Sequence, residues 1–357
     1  VIRVAHINDD PGLGGINRSL DAQLPRLDPI FRSRRLIVSP ARHLPPVLRA
    51  DVVVIHFALN WGKLAWLKGL RLLNPEAAFI LVEHSYTRAF EEQHVRNVRR
   101  FRMLLRLACG MMDRVVAVSN AQRDWLTEAA SLRPGKVLAI NPFTELRDLR
   151  RLPLPRREAG PLRLCAYGRY TAQKGFDTLI EAMRLLSPNL ATLRIAGLGP
   201  EEDALRAQAK GLAHVTIEGP VKSPESLLSA VDAVVVPSRF EAFGNVGAEA
   251  RAAGRPLIVS NVDGLVEQAL AFRELTVPPA DPAALVDAIV WLAGQDLAIL
   301  ADLSRRSSDG SELHTIGRWN ALLAELAGTV SRAGSRPASL AGPALPLPTP
   351  RPSMTAR

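Results

Sequence analysis

Two glutamates, Glu241 and Glu249, bracket a turn within the stretch Pro237 to Glu249, and their type and spacing carry chemical content. Upstream lies Asp232 to Val236, an apolar β-branched run that predicts a strand buried on both faces and ending at Pro237. Downstream, Val246 to Ala253 has helical composition and stops at Gly254. The turn therefore joins a strand to a helix at the carboxyl edge of a sheet, where ligands of open α/β sheets bind. Helical rise sets the two carboxylates roughly 10–12 Å apart. A glycosidase pair needs about 5–9.5 Å, whereas the wider spacing suits one long ligand gripped at two points, its anionic middle over the helix N-terminus. A sugar nucleotide has that shape. The bland alternative is two glutamates on a solvated helix face.

Other candidates are basic or lie in loops. Leu162 to Gly168 predicts a strand, and the loop that follows it to Gly175 carries Arg169 and Lys174. His84 stands directly after the apolar run Ala78 to Glu83, where a histidine is either a satisfied structural residue or a ligand contact. Gly14 and Gly15 close the loop between a first strand, Ile2 to Ile7, and the helical Ile16 to Leu27. Glycines there serve either a tight turn or close backbone approach to a phosphate. His6, His43, His56 and His94 have no comparable context.

At these residues the chain resembles the family-4 glycosyltransferases, retaining enzymes of the GT-B fold, whose signature is a Glu, seven residues and a second Glu after a strand ending in Pro-Ser. Pro237-Ser238, Glu241, Phe243-Gly244, Glu249 and the following Ala252 to Ser260 match. The resemblance implies that Glu241 contacts the transferred sugar and Glu249 the nucleotide ribose. Backbone N–H groups of Ala242, Phe243, Gly244 and Asn245 would hold sugar hydroxyls and phosphate. It further implies that Arg169 and Lys174 neutralise the donor diphosphate, that His84 points at the donor sugar, and that Gly14 and Gly15 lie near the diphosphate and acceptor. Val221 and the helix around Leu227 would contact the base. Two fixed cations stabilise the charge left on a departing diphosphate without a metal, and no metal-binding motif stands at a legible site. Asp263 departs from the pattern, occupying the first place of what is usually a pair of glycines.

The elements that must position these groups follow from length and alternation. A chain of 357 residues with 47% hydrophobic content supports about two domains. Apolar strand-like runs alternate with helical stretches throughout, which predicts doubly wound parallel sheets. We therefore expect a GT-B architecture of two Rossmann-like domains facing across a cleft. Residues 1–150 form the acceptor-side domain and 161–310 the nucleotide-sugar domain. The Pro- and Arg-rich linker between them, Arg150 to Pro161, is expected not to pack. A terminal helix at about 311–327 crosses back to the first domain, and 328–357 reads as disordered. Cys109 and Cys165 lie in apolar runs, which argues against a disulfide scaffold and for a reducing compartment. No zinc spacing and no membrane-spanning run is present, and the chain begins at Val1, leaving room for a short leader.

The reading these features support is a retaining, metal-independent hexosyltransferase needing no cofactor, which moves a sugar from a nucleotide-diphosphate sugar to a glycan or lipid-linked acceptor in cell-envelope or exopolysaccharide synthesis. The alternatives are a GT-B nucleotide-sugar epimerase and a sugar-nucleotide-binding protein without catalysis. The net charge of +10, mostly arginine, implies an anionic partner. On Val95 to Met112 the residues Val98, Phe101, Leu104, Leu105, Ala108 and Met112 share one helical arc. Arg96, Arg99, Arg100, Arg102 and Arg106 share the other. With Trp61, Lys63, Trp66, Lys68 and Arg71 nearby, this predicts a cytoplasmic enzyme held peripherally on anionic lipid, with no nucleic acid partner.

Overall fold

The computed structural model describes residues 1–9, 12, 15–156, 160–221, 223–270 and 272–334, the last six as backbone only. Gly14 and residues 335–357 thus lie outside the described residues. Among the described residues, twelve strands form two six-stranded parallel sheets. The first contains β1 (Ile2–Asn8), β2 (Phe31–Ile37), β3 (Val52–Ile55), β4 (Ala78–Glu83), β5 (Arg114–Ala117) and β6 (Val137–Ala139), in the order β2-β1-β3-β4-β5-β6. The second contains β7 (Leu162–Arg169), β8 (Ala191–Leu198), β9 (Val215–Glu218), β10 (Ala233–Val236), β11 (Leu257–Ser260) and β12 (Thr276–Val277), ordered β12-β11-β10-β7-β8-β9. The central strands are buried end to end, as their continuous Val, Ile and Leu runs require of parallel strands covered by helices on both faces. This is the GT-B arrangement of two Rossmann-like units.

In each sheet the chain starts at an inner strand, builds outward on one side, then returns to the other. The order reverses between β1 and β3 in the first sheet and between β7 and β10 in the second. Loops leaving the carboxyl ends of such a strand pair diverge and leave a crevice. The two sheets also share a device at this reversal. Arg3 on β1 donates its backbone N–H and guanidinium to Asp51 just before β3, and Arg163 on β7 does the same to Asp232 just before β10.

The helix Ser311–Gly334 leaves the second unit and lies on the first sheet, where Trp319, Leu322, Leu323 and Leu326 pack with Val4, Val54, Ile80 and Val116. It runs on to Gly334, past the boundary that composition sets at Gly328. A helix already nucleated extends at little cost through residues of modest propensity, so composition alone misplaces its end. The linker is a second correction, because part of it packs. Arg255 is 1% exposed and donates to the carbonyls of Pro153, Leu228 and Ala253, while Arg305 donates to that of Leu152. A buried guanidinium needs acceptors, and linker carbonyls supply them.

Candidate functional site

A cleft of about 870 Å³ lies between the two sheets, at the carboxyl ends of their strands. It is lined by Gly15, His84, Arg169, Lys174, Val221, Ala242, Phe243, Gly244, Asn245, Glu241 and Glu249, which brings together all but two of the candidates read from sequence. Gly14 is one exception, lying outside the described residues. Leu227 is the other and is a correction: it is 1% exposed and packs in the core with Leu228, Val231 and Val234. The short helix Pro224–Leu228 meets the cleft with its first residue, Pro224, and buries its apolar face. Helical position, not proximity in sequence, decides which residue reaches a ligand.

The centre of the cleft straddles the β7/β10 reversal. Lys174, from the loop after β7, forms an ion pair with Glu241, from the loop after β10; the side chains are 20% and 14% exposed. Ser238 reaches the same Glu241 oxygen at 3.5 Å. Gly175 permits this approach. Its φ is +64°, and any Cβ there would collide with the Pro237 carbonyl oxygen, so the two loops pack backbone on backbone. Arg239 clamps them from the far side, donating to Asp177 and to the carbonyl of Ala172. Arg169 is exposed, and no carboxylate partner for it appears among the described residues.

Glu249 sits one helix away, on Asn245–Ala252, and is 8% exposed. Tyr167 donates its hydroxyl to Glu249 Oε2 at 2.6 Å. Burial pushes the carboxyl pKa up, while the Tyr167 hydrogen bond and the charge of Arg18 pull it down. Arg18, on α1 (Gly15–Gln23), lines the cleft opposite and is a third cation that motif reading passes over. Its only sequence signal is its place on the first turn of a helix that follows a glycine loop.

The first domain contributes His84 and the floor beneath it. His84 follows β4, and its Nε2 lies 3.2 Å from Nδ1 of His56, which follows β3. His56 Nε2 lies 3.0 Å from Nδ1 of His6 on β1. Burial lowers all three, His84 to about 4 and His6 to about 3, so the rings are neutral at neutral pH. Glu83, beside His84, accepts the N–H groups of Ser85 and Tyr86 on one oxygen, which fixes the turn carrying the histidine. Its other oxygen is buried without a partner among the described residues, and burial pushes this carboxyl up to about 7 despite those N–H groups and Lys63.

Both domains hold the Glu241 loop. Asp263 occupies the left-handed region at φ +42°. One of its carboxylate oxygens accepts Glu241 N–H and the other accepts Ala89 N–H, at the start of α3 (Arg88–His94), each at 3.2 Å. Gly264 follows, wedged where a Cβ would strike the Ala242 carbonyl and Ser119 of the first domain. Phe240 completes the joint by packing edge-on against Phe90 and His94. An aspartate in this place therefore keeps the local turn and adds a link across the cleft. Among the described residues no three His, Cys, Asp or Glu side chains converge as a metal site would require.

Comparison with known proteins adds to this geometry. Residues 161–295 match the description Glycosyl transferases group 1, and residues 11–147 match Glycosyltransferase Family 4. The chain belongs to the group 1, family-4 glycosyltransferases. Over 188 residues it is 34% identical to the glycogen synthase of Mycobacterium tuberculosis, a stretch covering 50% of this chain and 44% of that one. The D-inositol 3-phosphate glycosyltransferase of Actinosynnema mirum is 29% identical over 74% of this chain and 67% of its own length. The chain thus spans less than half the length of the first of these relatives. Among solved structures, Anabaena HepE in complex with UDP-glucose aligns with a TM-score of 0.71 at 16% identity, covering 92% of this chain and 100% of that one. That likeness establishes the GT-B fold.

Two predictions follow from the packing of this family member. A carboxyl raised by folding favours the native state below its unfolded pKa of 4.5, and that advantage is lost as pH rises through about 7. Wild-type stability should therefore fall relative to Glu83→Gln by roughly 2–3 kcal/mol between pH 4.5 and pH 8. Parallel urea midpoints for the two proteins across that range would contradict it. At position 263, Ala keeps the left-handed backbone penalty and loses both hydrogen bonds, whereas Gly loses the bonds alone. Asp263→Ala should thus be less stable than Asp263→Gly by about 1–2 kcal/mol in thermal unfolding; equal stability would mean that residue 263 is not left-handed.

Proposed function

We propose that this protein is a retaining glycosyltransferase that transfers a hexose from a nucleoside-diphosphate sugar to a glycan or lipid-linked acceptor without a metal. The observation that carries this is the Lys174–Glu241 pair at the strand-order reversal, with Arg169 beside it and Glu249 one helix further along the same cleft. The base sits against Pro220, Val221 and Pro224, and the ribose hydroxyls meet Glu249. The diphosphate lies over the first N–H groups of the helix Asn245–Ala252, between Arg169, Lys174 and Arg18. The sugar then falls between Glu241 and His84. Relatives named glycogen synthase and D-inositol 3-phosphate glycosyltransferase, and a structural neighbour holding UDP-glucose, support this class of donor.

In the reaction the bond between the anomeric carbon and the diphosphate oxygen breaks with its electron pair going to the diphosphate. The acceptor oxygen bonds to the same face of the carbon, and its proton passes to the departing diphosphate. Fixed cations stabilise the developing phosphate charge with no reorganisation at the moment of reaction. Glu241 supports the positive charge on the sugar and is not assigned as a nucleophile. A diphosphate that draws Lys174 toward itself also frees Glu241 to face the sugar.

A thermal-shift panel of UDP- and GDP-sugars tests the donor assignment, since a ligand at 100 times its Kd adds about 2.7 kcal/mol. Lys174→Ala and Arg169→Ala should each weaken binding of the best ligand by roughly 1.5–3 kcal/mol. Nucleoside diphosphate release should depend on added acceptor and survive excess chelator. Epimer formation without acceptor, or activity restored only by a divalent cation, would overturn the reading.

The acceptor half rests on a surface. On α4 (Val98–Gly110) the residues Leu104, Leu105, Ala108 and Cys109 are buried against the sheet, while Arg99, Arg100 and Arg106 on this helix and Arg96 before it are exposed. Met103 and Leu107 are exposed among them, and Arg100 lies over the exposed ring of Trp61 on α2 (Trp61–Leu73). Several residues of the expected basic face are engaged elsewhere: Arg102 with Glu91 and Glu128, Lys63 with Asp9, and Arg71 with Asp113. Trp66 is buried and donates to the His43 carbonyl. No single described helix is long and apolar enough to cross a membrane. The remaining arginines with interspersed apolar side chains support peripheral attachment to anionic lipid and a lipid-linked acceptor of envelope glycan synthesis. Binding to anionic vesicles should weaken with salt and fall on charge reversal of Arg99, Arg100 and Arg106, at about 1 kcal/mol per residue, with nucleotide binding retained. Equal partitioning onto neutral and anionic vesicles would exclude this.

A further inference from the structure

Three imidazoles in a row are an unusual thing to bury, and the fold explains how they meet. β1, β3 and β4 are neighbours in the first sheet, His6 lies on β1, and His56 and His84 each follow directly on β3 and β4. Adjacent strands lie about 4.8 Å apart, and the rings stack at centroid spacings of 5.3 Å and 5.5 Å. His6 and His56 are 0% and 2% exposed; only His84 opens onto the cleft. Each link joins one ring nitrogen to another, so each needs one proton.

Neutral imidazole carries a single N–H, which couples the three tautomers. In one register His6 donates from Nδ1 to His56, His56 donates from Nδ1 to His84 Nε2, and His84 presents Nδ1–H to the cleft. In the reverse register every bond runs inward, His84 presents a lone pair, and the last N–H falls on His6 Nε2. That nitrogen is buried and has no hydrogen-bond partner among the described residues. His84 Nδ1 can be satisfied by water or ligand in either register, so the buried end decides. An orphaned buried N–H is the rarer and costlier outcome. Burial also keeps each ring from taking a second proton.

We infer that His6 and His56 are positioning residues that fix His84 as its Nδ1–H tautomer, so that the cleft meets a hydrogen-bond donor at this point. The chain is not a proton relay, because His6 Nε2 offers no exit for a proton. The inference rests on the glycosyltransferase reading only in naming what the N–H meets, an oxygen of the transferred sugar. The tautomer itself is independent of any activity.

Two-bond 1H–15N correlation spectra of the histidine-labelled full chain test it, with His84 assigned by the signal lost in His84→Gln. Nδ1 of His84 should be the protonated nitrogen and Nε2 the bare one. His56→Leu should release the restraint, so that the Nε2–H form appears, and should lower kcat while leaving nucleotide Kd unchanged. His56→Asn, whose carboxamide N–H takes the place of Nδ1–H, should restore both the tautomer and turnover. An Nε2–H tautomer in the wild type, or an unchanged tautomer in folded His56→Leu, overturns the inference. If His56→Leu does not fold, the wild-type assignment alone decides.

Discussion

The ion pair between Lys174 and Glu241 joins the two loops that diverge where the strand order of the second sheet reverses, and the cleft is arranged around it. Both charges are largely out of water, so each depends on the other, and removing either leaves a buried charge uncompensated. That dependence makes the pair responsive. In the proposed reaction a donor diphosphate would supply Lys174 with a second anion and so release Glu241 toward the sugar. The surroundings are built to keep the pair in register. Gly175 lets one loop rest on the Pro237 carbonyl, and the Arg239–Asp177 bridge closes the far side.

The Glu241 loop belongs by sequence to the second domain and by contacts to both. Asp263 takes Glu241 N–H with one oxygen and Ala89 N–H with the other. Gln93 donates to the Arg239 carbonyl, and Phe243 reaches into the core formed by the crossing helix and the first sheet. Any opening of the cleft must therefore break contacts made by the loop that carries Glu241. The left-handed backbone at Asp263, which costs about 1–2 kcal/mol, is sustained because the carboxylate is anchored at two points. Opening and loss of the Glu241 backbone anchor are thus coupled through one side chain.

The fold, and the gathering of most candidate residues in one cleft, were legible because their signals are local. A continuous apolar run means a buried parallel strand, and the cleft residues stand at or just past its end, Arg169 as the last residue of β7 and Lys174 and Glu241 in the loops beyond β7 and β10. Leu227 was misread because a five-residue helix turns consecutive side chains through about 100° each, and only the helix start faces the cleft. The linker was misread because composition cannot show that Arg255 is buried and in need of carbonyls. Arg102, Lys63 and Arg71 belong by pattern to an open basic face, yet each found a carboxylate distant in sequence. Arc position on a helix predicts direction but not partners.

The histidines show the limit from the other side. Taken singly, His6 and His56 are what a lone histidine in a strand usually is, a buried polar group that packing must satisfy. Their meaning arises from parallel register. His6 pairs with Val54 on the neighbouring strand, so His56 stands two residues further along and meets it diagonally across the sheet, although 50 residues separate the two in sequence. No spacing rule along one chain detects that, because spacing between strands depends on the crossover lengths. Strand order supplies the missing coordinate: once β1, β3 and β4 are known to be adjacent, a histidine on or just beyond each becomes one object, with a single proton register running from the core to the cleft.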